Sequence, residues 1–204
     1  TQLIDYLIEK GVEFATEREI ESLIIEDKTI KGVAVTHKGK REEYYSDHVV
    51  IGMGRSGAQK MMDLCKEHDI KYENGAIDIG VRAEIPDIIM KEINENFYEA
   101  KMIYYSRNYR DKMRTFCSNP SGFIAAEKYE DDFVLANGHA YKDRKSTNTN
   151  LALLCTKKFT EPFNQPFEYA TAIAKMSSML TGGKLLVQSY IDLKAGRRST
   201  DEKL

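Results

Sequence analysis

The chain has 204 residues, of which 42% are hydrophobic and 30% charged, and its formal net charge is −2. This composition is typical of a globular protein and lacks the basic excess of a nucleic-acid-binding surface. No apolar run approaches the ~20 residues that a membrane-spanning helix requires. The three cysteines and four histidines form neither a disulfide framework nor a metal-site spacing, which favours a reducing compartment, the cytoplasm.

The first predicted elements are a short helix that ends at Gly11 and three closely spaced strands. The strands are predicted at residues 20–25, 30–36 and 41–45, with turns at 27–29 and 38–40. This spacing indicates an antiparallel meander. A fourth run, at residues 49–51, is continuously apolar and is typical of a buried strand that pairs within a larger sheet.

Three glycines follow this run, Gly52, Gly54 and Gly57, with Arg55 and Ser56 between them. Such a turn lets backbone approach a ligand closely and directs the N–H groups of a following helix at an anion. The dinucleotide fingerprint of this spacing normally follows the first strand of a βαβ unit and precedes an acidic residue about 20 positions later. The surroundings here differ, so spacing alone favours a structural turn over a nucleotide site.

The remainder of the chain is predicted to alternate between helices and short strands. Helices are predicted at 59–68, 86–93 and 165–180, and strands at 78–84, 102–105, 114–117, 123–127, 133–135, 151–155 and 185–188. Residues 192–204 are charged and show no packing pattern. The predicted fold class is α+β, mainly antiparallel sheet with flanking helices.

Seven segments carry a family resemblance: DHVVIGMGRSG at 47–57, DIGVRAE at 78–84, RTFCSNPSG at 114–122, NGH at 137–139, TNTNLALL at 147–154, FTEPF at 159–163 and GRRST at 196–200. Together they resemble the bacterial FAD-dependent dehydrogenases of the glutathione-reductase-like flavoprotein superfamily. The resemblance implies a flavin-dependent oxidoreductase that uses FAD and acts on a small-molecule substrate. It also implies nucleotide contacts at Gly52, Gly54, Arg55, Ser56 and Gly57.

The family's N-terminal strand–Gly-x-Gly-x-x-Gly–helix and its C-terminal Gly-Asp segment are missing from these residues. The resemblance therefore implies an internal fragment, with a partial FAD-binding domain at 1–57 and an inserted substrate domain at 58–204, truncated at its C-terminal end. Its partners are then the N- and C-terminal parts of the same polypeptide and the substrate, with no nucleic acid and no membrane span. The fragment alone is expected to be inactive and to bind no FAD.

Two arginines are candidate substrate-binding residues, because Arg82 and Arg114 each interrupt a strand-like run with apolar neighbours. A guanidinium can hold a carboxylate or a phosphate through two parallel hydrogen bonds. The alternative is a surface arginine or an ion pair with Glu84 or Glu127.

Four further side chains complete the candidate site. Asn148 and Asn150 precede an apolar strand, where their amides suit a substrate or a flavin edge, although a local turn explains them equally well. Cys117 and His139 are weak catalytic candidates, as a redox-active thiol and as an acid or base, against a structural Cys and a solvated His. A non-catalytic ligand-binding or interaction module without cofactor is the alternative function.

Overall fold

The computed structural model describes residues 2–54, 56–129 and 133–203. It divides the chain into two units, Thr1–Tyr72 and Glu73–Leu204. Antiparallel sheets with flanking helices make up both units, which confirms the predicted α+β class. None of the described helices combines the length and the apolar character that crossing a bilayer demands.

Within residues 2–54 and 56–72, the first unit contains a three-stranded sheet and two helices: α1 (Gln2–Glu9), β1 (Glu19–Glu26), β2 (Thr29–His37), β3 (Lys40–Tyr45) and α2 (Ala58–Glu67). The strands pair antiparallel in the order β1–β2–β3, as the meander prediction requires. Both connecting turns place two successive residues at positive φ, Asp27 with Lys28 and Lys38 with Gly39. This is the backbone of the tightest hairpin turn, so short polar connections reverse the chain here.

The strand predicted at residues 49–51 is not formed, and Val50 is 98% exposed. An apolar run becomes a strand only beside another strand, and none of the described strands pairs with this one. The sequence predicts a boundary after Gly57, and the two compact units of the structure meet after Tyr72. Helix α2 lies in the first unit, where Lys60 Nζ donates to the Glu21 carbonyl at 2.8 Å.

The described part of the second unit has six strands, two longer helices and a short C-terminal helix: β4 (Ile77–Pro86), α3 (Asp87–Asn96), β5 (Ile103–Tyr105), β6 (Lys112–Asn119), β7 (Phe123–Tyr129), β8 (Phe133–His139), β9 (Asn148–Lys157), α4 (Pro166–Leu180) and α5 (Tyr190–Lys194). A 3-10 turn at Asp201–Lys203 follows. One antiparallel sheet has the order β4–β9–β6–β5, and β7 and β8 form a separate hairpin.

The central strand β9 sets the registers that position the candidate site. Arg82 on β4 lies opposite Ala152, and Glu84 lies opposite Asn150. Opposite residues of an antiparallel pair share a face, so Arg82 and Asn150 lie on the same face of the sheet. The β6–β9 pairing is interrupted by a bulge between Phe116 and Asn119.

The end of the chain differs from its prediction in two ways. Residues 185–188 form no strand, and the segment after them contains α5 with a buried carboxylate, Asp192. Arg197 Nε donates to Asp192 Oδ1 at 2.5 Å, and the Ser189 amide donates to Ser199 Oγ at 2.9 Å. Polar contacts order this segment, and for that reason it shows no apolar period.

Candidate functional site

A polar cluster lies where β4, β9 and the bulge of β6 run side by side. Arg82 Nη1 donates to Asn150 Oδ1 at 2.7 Å and to the Cys117 carbonyl at 3.1 Å. Asn119 Nδ2 donates to the same carbonyl at 2.9 Å and to Asn150 Oδ1 at 3.4 Å. These four residues, Arg82, Cys117, Asn119 and Asn150, are called the Arg82 cluster below.

The Arg82 cluster has more donors than acceptors. Asn150 is 0% exposed, and two N–H donors aimed at its Oδ1 fix the orientation of its amide. Arg82 Nε and Asn150 Nδ2 are buried, and neither has an acceptor among the described residues. No described carboxylate forms an ion pair with Arg82 within 4.0 Å. A half-buried guanidinium without a counter-ion and two unmet donors are costly unless an acceptor meets them.

The Cys117 backbone is held from both sides. Its φ is +51°, in the left-handed region that costs a non-glycine residue roughly 1–2 kcal/mol. Its amide donates to Glu99 Oε1 at 2.6 Å, while its carbonyl accepts from Arg82 and Asn119. These bonds offset the unfavourable φ and fix the bulge. The thiol Sγ lies 3.8 Å from Asn119 Nδ2, so Cys117 is part of the cluster rather than a separate site.

Strand β8 lies directly against the cluster at Gly138. A Cβ at this position would lie 2.1 Å from Asn119 Nδ2, 2.2 Å from Arg82 Nη1 and 2.6 Å from Asn150 Oδ1. Only a glycine allows this approach of backbone to the polar groups. The Asn137-Gly138 pair lies within β8, where Asn137 Nδ2 donates to Glu127 Oε1 at 2.8 Å.

Arg114 lies outside the Arg82 cluster. Its Nη2 contacts Asp78 Oδ2 at 2.6 Å, and its guanidinium carbon lies 5.0 Å from the centre of the Phe116 ring. The same carboxylate accepts a hydrogen bond from Thr156 Oγ1 at 2.6 Å. The ion-pair partner is therefore Asp78, not Glu84 or Glu127 as the sequence suggested.

Asn148 and His139 are also not members of the cluster. The backbone amide of Asn148 donates to Ser146 Oγ at 3.1 Å, and that hydroxyl lies 2.6 Å from the Gly122 carbonyl oxygen and 2.9 Å from the Asn148 carbonyl oxygen, either of which can accept its single proton. The local turn therefore depends on the serine side chain rather than on an asparagine amide. The His139 ring packs against Tyr141, with ring centres 4.3 Å apart.

Sequence reasoning missed a carboxylate site at the start of α3. Asp87 accepts hydrogen bonds from Thr149 Oγ1 at 2.6 Å, Ser121 Oγ at 2.7 Å and the Ser121 amide at 3.2 Å. Burial alone would raise the pKa of Asp87, but these hydrogen bonds outweigh it and hold the pKa below its ordinary value. The sequence did contain a signal for this site, because an acidic residue directly after Pro86 lies at the start of a predicted helix, where a negative charge is favourable. The site is satisfied and links α3 to β9.

In the glycine turn of the first unit, two of the three glycines face open space. Gly54 has φ +65°, and a Cβ at Gly52 or Gly54 would meet nothing within 4 Å. At Gly57, a Cβ would lie 2.3 Å from Met53 Cβ, so this glycine serves packing within the chain. Gly57 caps α2 without a side-chain hydrogen bond, and Ser56 directly precedes it. Arg55 lies outside the described residues.

The glycine turn fits in part the FAD that the family resemblance implies. Open backbone at Gly52 and Gly54, next to a helix start without a side-chain cap, fits contact with a phosphate or a ribose. Gly57 does not fit that role. Among the described residues, no group of three or more His, Cys, Asp or Glu side chains is placed to hold a metal.

Comparison with known proteins finds a distant relative but no family. No family model matches the chain. A protein of Clostridium beijerinckii (strain ATCC 51743 / NCIMB 8052), described only as an uncharacterized protein, is 25% identical over 158 residues. The match covers 72% of this chain and 28% of the relative, so it spans little more than a quarter of that protein's length.

Proposed function

We propose that this chain is part of a flavin-dependent oxidoreductase, with the first unit contacting FAD and the second unit holding a small-molecule substrate. FAD supplies the electron transfer when it is bound, and the protein orients the substrate. The observation that carries the proposal is the segment from residue 49 to the start of α2. It combines a fully exposed valine, Val50, with two open glycines and a helix start without a side-chain cap.

Each part of that segment supports the proposal for a separate reason. Val50, 98% exposed, suits a strand that is completed by another part of a larger sheet. The positive φ of Gly54 is a conformation that glycine adopts without strain, and its lack of a side chain allows close approach of a cofactor. The first N–H groups of α2 suit a phosphate.

The exposed surface supports a role within a longer polypeptide. The chain exposes 16195 Å² for a mass of 23.3 kDa. A compact monomer of that mass exposes about 9,700 Å², and two separate domains of the sizes seen here expose about 11,600 Å². We infer that further polypeptide would cover the excess surface. The much longer Clostridium relative is consistent with that arrangement.

In the second unit, the Arg82 cluster is the best candidate for holding the substrate. Arg82 and Asn150 offer a cation and buried unmet donors, whereas Arg114 is engaged by Asp78. Cys117 lies in the same cluster with its backbone fixed, which suits a positioned thiol at the edge of the substrate site.

The test is purification of the full-length protein that contains this chain, followed by an absorption spectrum and identification of any released flavin. The proposal requires FAD in a ratio near one per chain. A full-length protein that purifies without flavin and does not take up added FAD contradicts it. In that case the second candidate applies, a ligand-binding module without cofactor, which the unmet donors of the Arg82 cluster favour.

A further inference from the structure

We propose that the Arg82 cluster binds the carboxylate group of a small ligand, which accepts hydrogen bonds from Arg82 Nε and Asn150 Nδ2. The identification of that ligand as a substrate rests on the proposed function, whereas the binding itself does not. The proposal starts from two buried donors that have no acceptor among the described residues.

The unpartnered hydrogen-bond donors of the Arg82 cluster favour a negatively charged ligand. Asn150 Oδ1 already accepts from Arg82 and Asn119, and the Cys117 carbonyl accepts from the same two residues. The buried polar atoms left over, Arg82 Nε and Asn150 Nδ2, can only donate. A ligand that meets them must therefore accept hydrogen bonds, and the guanidinium charge favours an anion. A cation or a pure donor would leave both atoms unmet.

Two carboxylates of the neighbouring elements, Glu99 and Glu127, are engaged elsewhere, and the exposed Glu84 forms no ion pair with Arg82 within 4.0 Å. Glu99 accepts from the Cys117 amide at 2.6 Å and lies 3.8 Å from Lys101 Nζ. Glu127 accepts from Asn137 at 2.8 Å. The Arg82 charge thus has no counter-ion from the described parts of these elements, and an external anion would supply one.

The approach of β8 limits the shape of the ligand. Gly138 lies so close to the cluster that not even a Cβ fits beside Arg82 Nη1. A flat group needs less room beside this backbone than a tetrahedral phosphate does. A carboxylate is flat, carries the required charge and presents two acceptor oxygens.

The experiment is thermal denaturation of the full-length protein in rising sodium formate, with sodium chloride at matched ionic strength as the reference. Formate is the smallest carboxylate, so its binding depends on contacts with the carboxylate group alone. We expect a saturable rise in Tm of roughly 3–6 °C in formate and not in chloride. Sodium phosphate is measured in parallel.

Two variants make the result specific. Asn150→Asp places a carboxylate of the chain beside Arg82, so the formate response should disappear while the protein stays folded. Arg114→Lys alters an arginine that is already paired, and its formate response should equal that of the wild type. Equal responses in formate and chloride, a response retained in Asn150→Asp, or a response to phosphate alone overturns the proposal.

The same samples separate this inference from the flavin proposal. A protein without flavin that still shows the formate response refutes the oxidoreductase and supports the carboxylate site. A yellow protein without the formate response supports the oxidoreductase and refutes the carboxylate site.

Discussion

Arg82 and Asn150 are 68 residues apart in the chain, and the hydrogen bond from Arg82 Nη1 to Asn150 Oδ1 is 2.7 Å long. The antiparallel register of β4 and β9 brings them together, because Arg82 lies opposite Ala152 and Glu84 opposite Asn150. A slip of one residue would move Asn150 to the other face of the sheet. The bulge at Cys117 then places a backbone carbonyl beside the same guanidinium.

Gly138→Ala tests the close approach of β8 to this pair. The new methyl group would overlap Asn119, Arg82 and Asn150, so we expect a loss of about 1–3 kcal/mol in the free energy of unfolding. Urea denaturation gives the value. Gly75→Ala is the matched control, because its Cβ would meet nothing within 4 Å. If both variants unfold at the same urea concentration as the wild type, β8 does not contact the cluster as described.

Asp87→Asn tests the carboxylate site at the start of α3. Because the folded pKa of Asp87 is lowered, its contribution is present above the unfolded value of about 3.9 and is lost as the pH falls through the folded pKa. We expect the variant to lose roughly 1–3 kcal/mol at pH 7, since two hydroxyls and an amide lose a charged acceptor.

The Asp87→Asn variant should also show a weaker fall in stability between pH 6 and pH 2 than the wild type. Glu92→Gln, an exposed change on the same helix, serves as the control and should keep the wild-type pH dependence. An unchanged pH dependence of stability in Asp87→Asn would contradict a lowered pKa for Asp87 in the folded protein.

If the full-length protein is the proposed oxidoreductase, Arg82→Lys and Arg114→Lys should have different effects on it. Lysine keeps the charge but loses the planar fork, so Arg82→Lys should lower turnover with flavin content unchanged. Arg114→Lys changes a partly exposed pair with Asp78, and we expect at most about 1 kcal/mol of lost stability with turnover near the wild-type value. Steady-state kinetics and Tm values separate the two. Equal losses of turnover would place Arg114 in the substrate site as well.

Local chemistry made the meander predictable. The two polar turns that join β1, β2 and β3 carry their signal within a few residues, and both have the expected tight geometry. Residues 49–51 carry an equally strong apolar signal, yet form no strand. Pairing depends on a neighbouring strand, which a local pattern cannot reveal.

The site was only partly predictable for the same reason. Arg82 and Asn150 were predicted as separate candidates, but their contact depends on the β4–β9 register. The positive φ of Cys117 and the close approach of Gly138 follow from contacts between distant parts of the chain. Nothing in the residues around Arg114 singled out Asp78, 36 positions earlier, as its partner.

Gly54→Val tests the glycine turn in the full-length protein. A branched side chain is strained at φ +65° and would occupy the open space proposed for the cofactor, so flavin content should fall. Gly39→Val is the matched control, because Gly39 has φ +75° in the β2–β3 turn and also faces open space. Both variants should lose similar stability, while only Gly54→Val loses flavin. Full flavin occupancy in Gly54→Val would make the turn purely structural.

The flavin content of the full-length protein, measured beside that of the 204-residue chain, decides whether this chain is part of a flavin-dependent oxidoreductase. Absorption spectra of both purified proteins, with the released cofactor identified after denaturation, give the ratio of FAD to polypeptide. We expect about one FAD per full-length chain and a colourless 204-residue chain. A full-length protein that neither contains nor takes up FAD would contradict the oxidoreductase, and stoichiometric FAD on the 204-residue chain would contradict the need for further polypeptide.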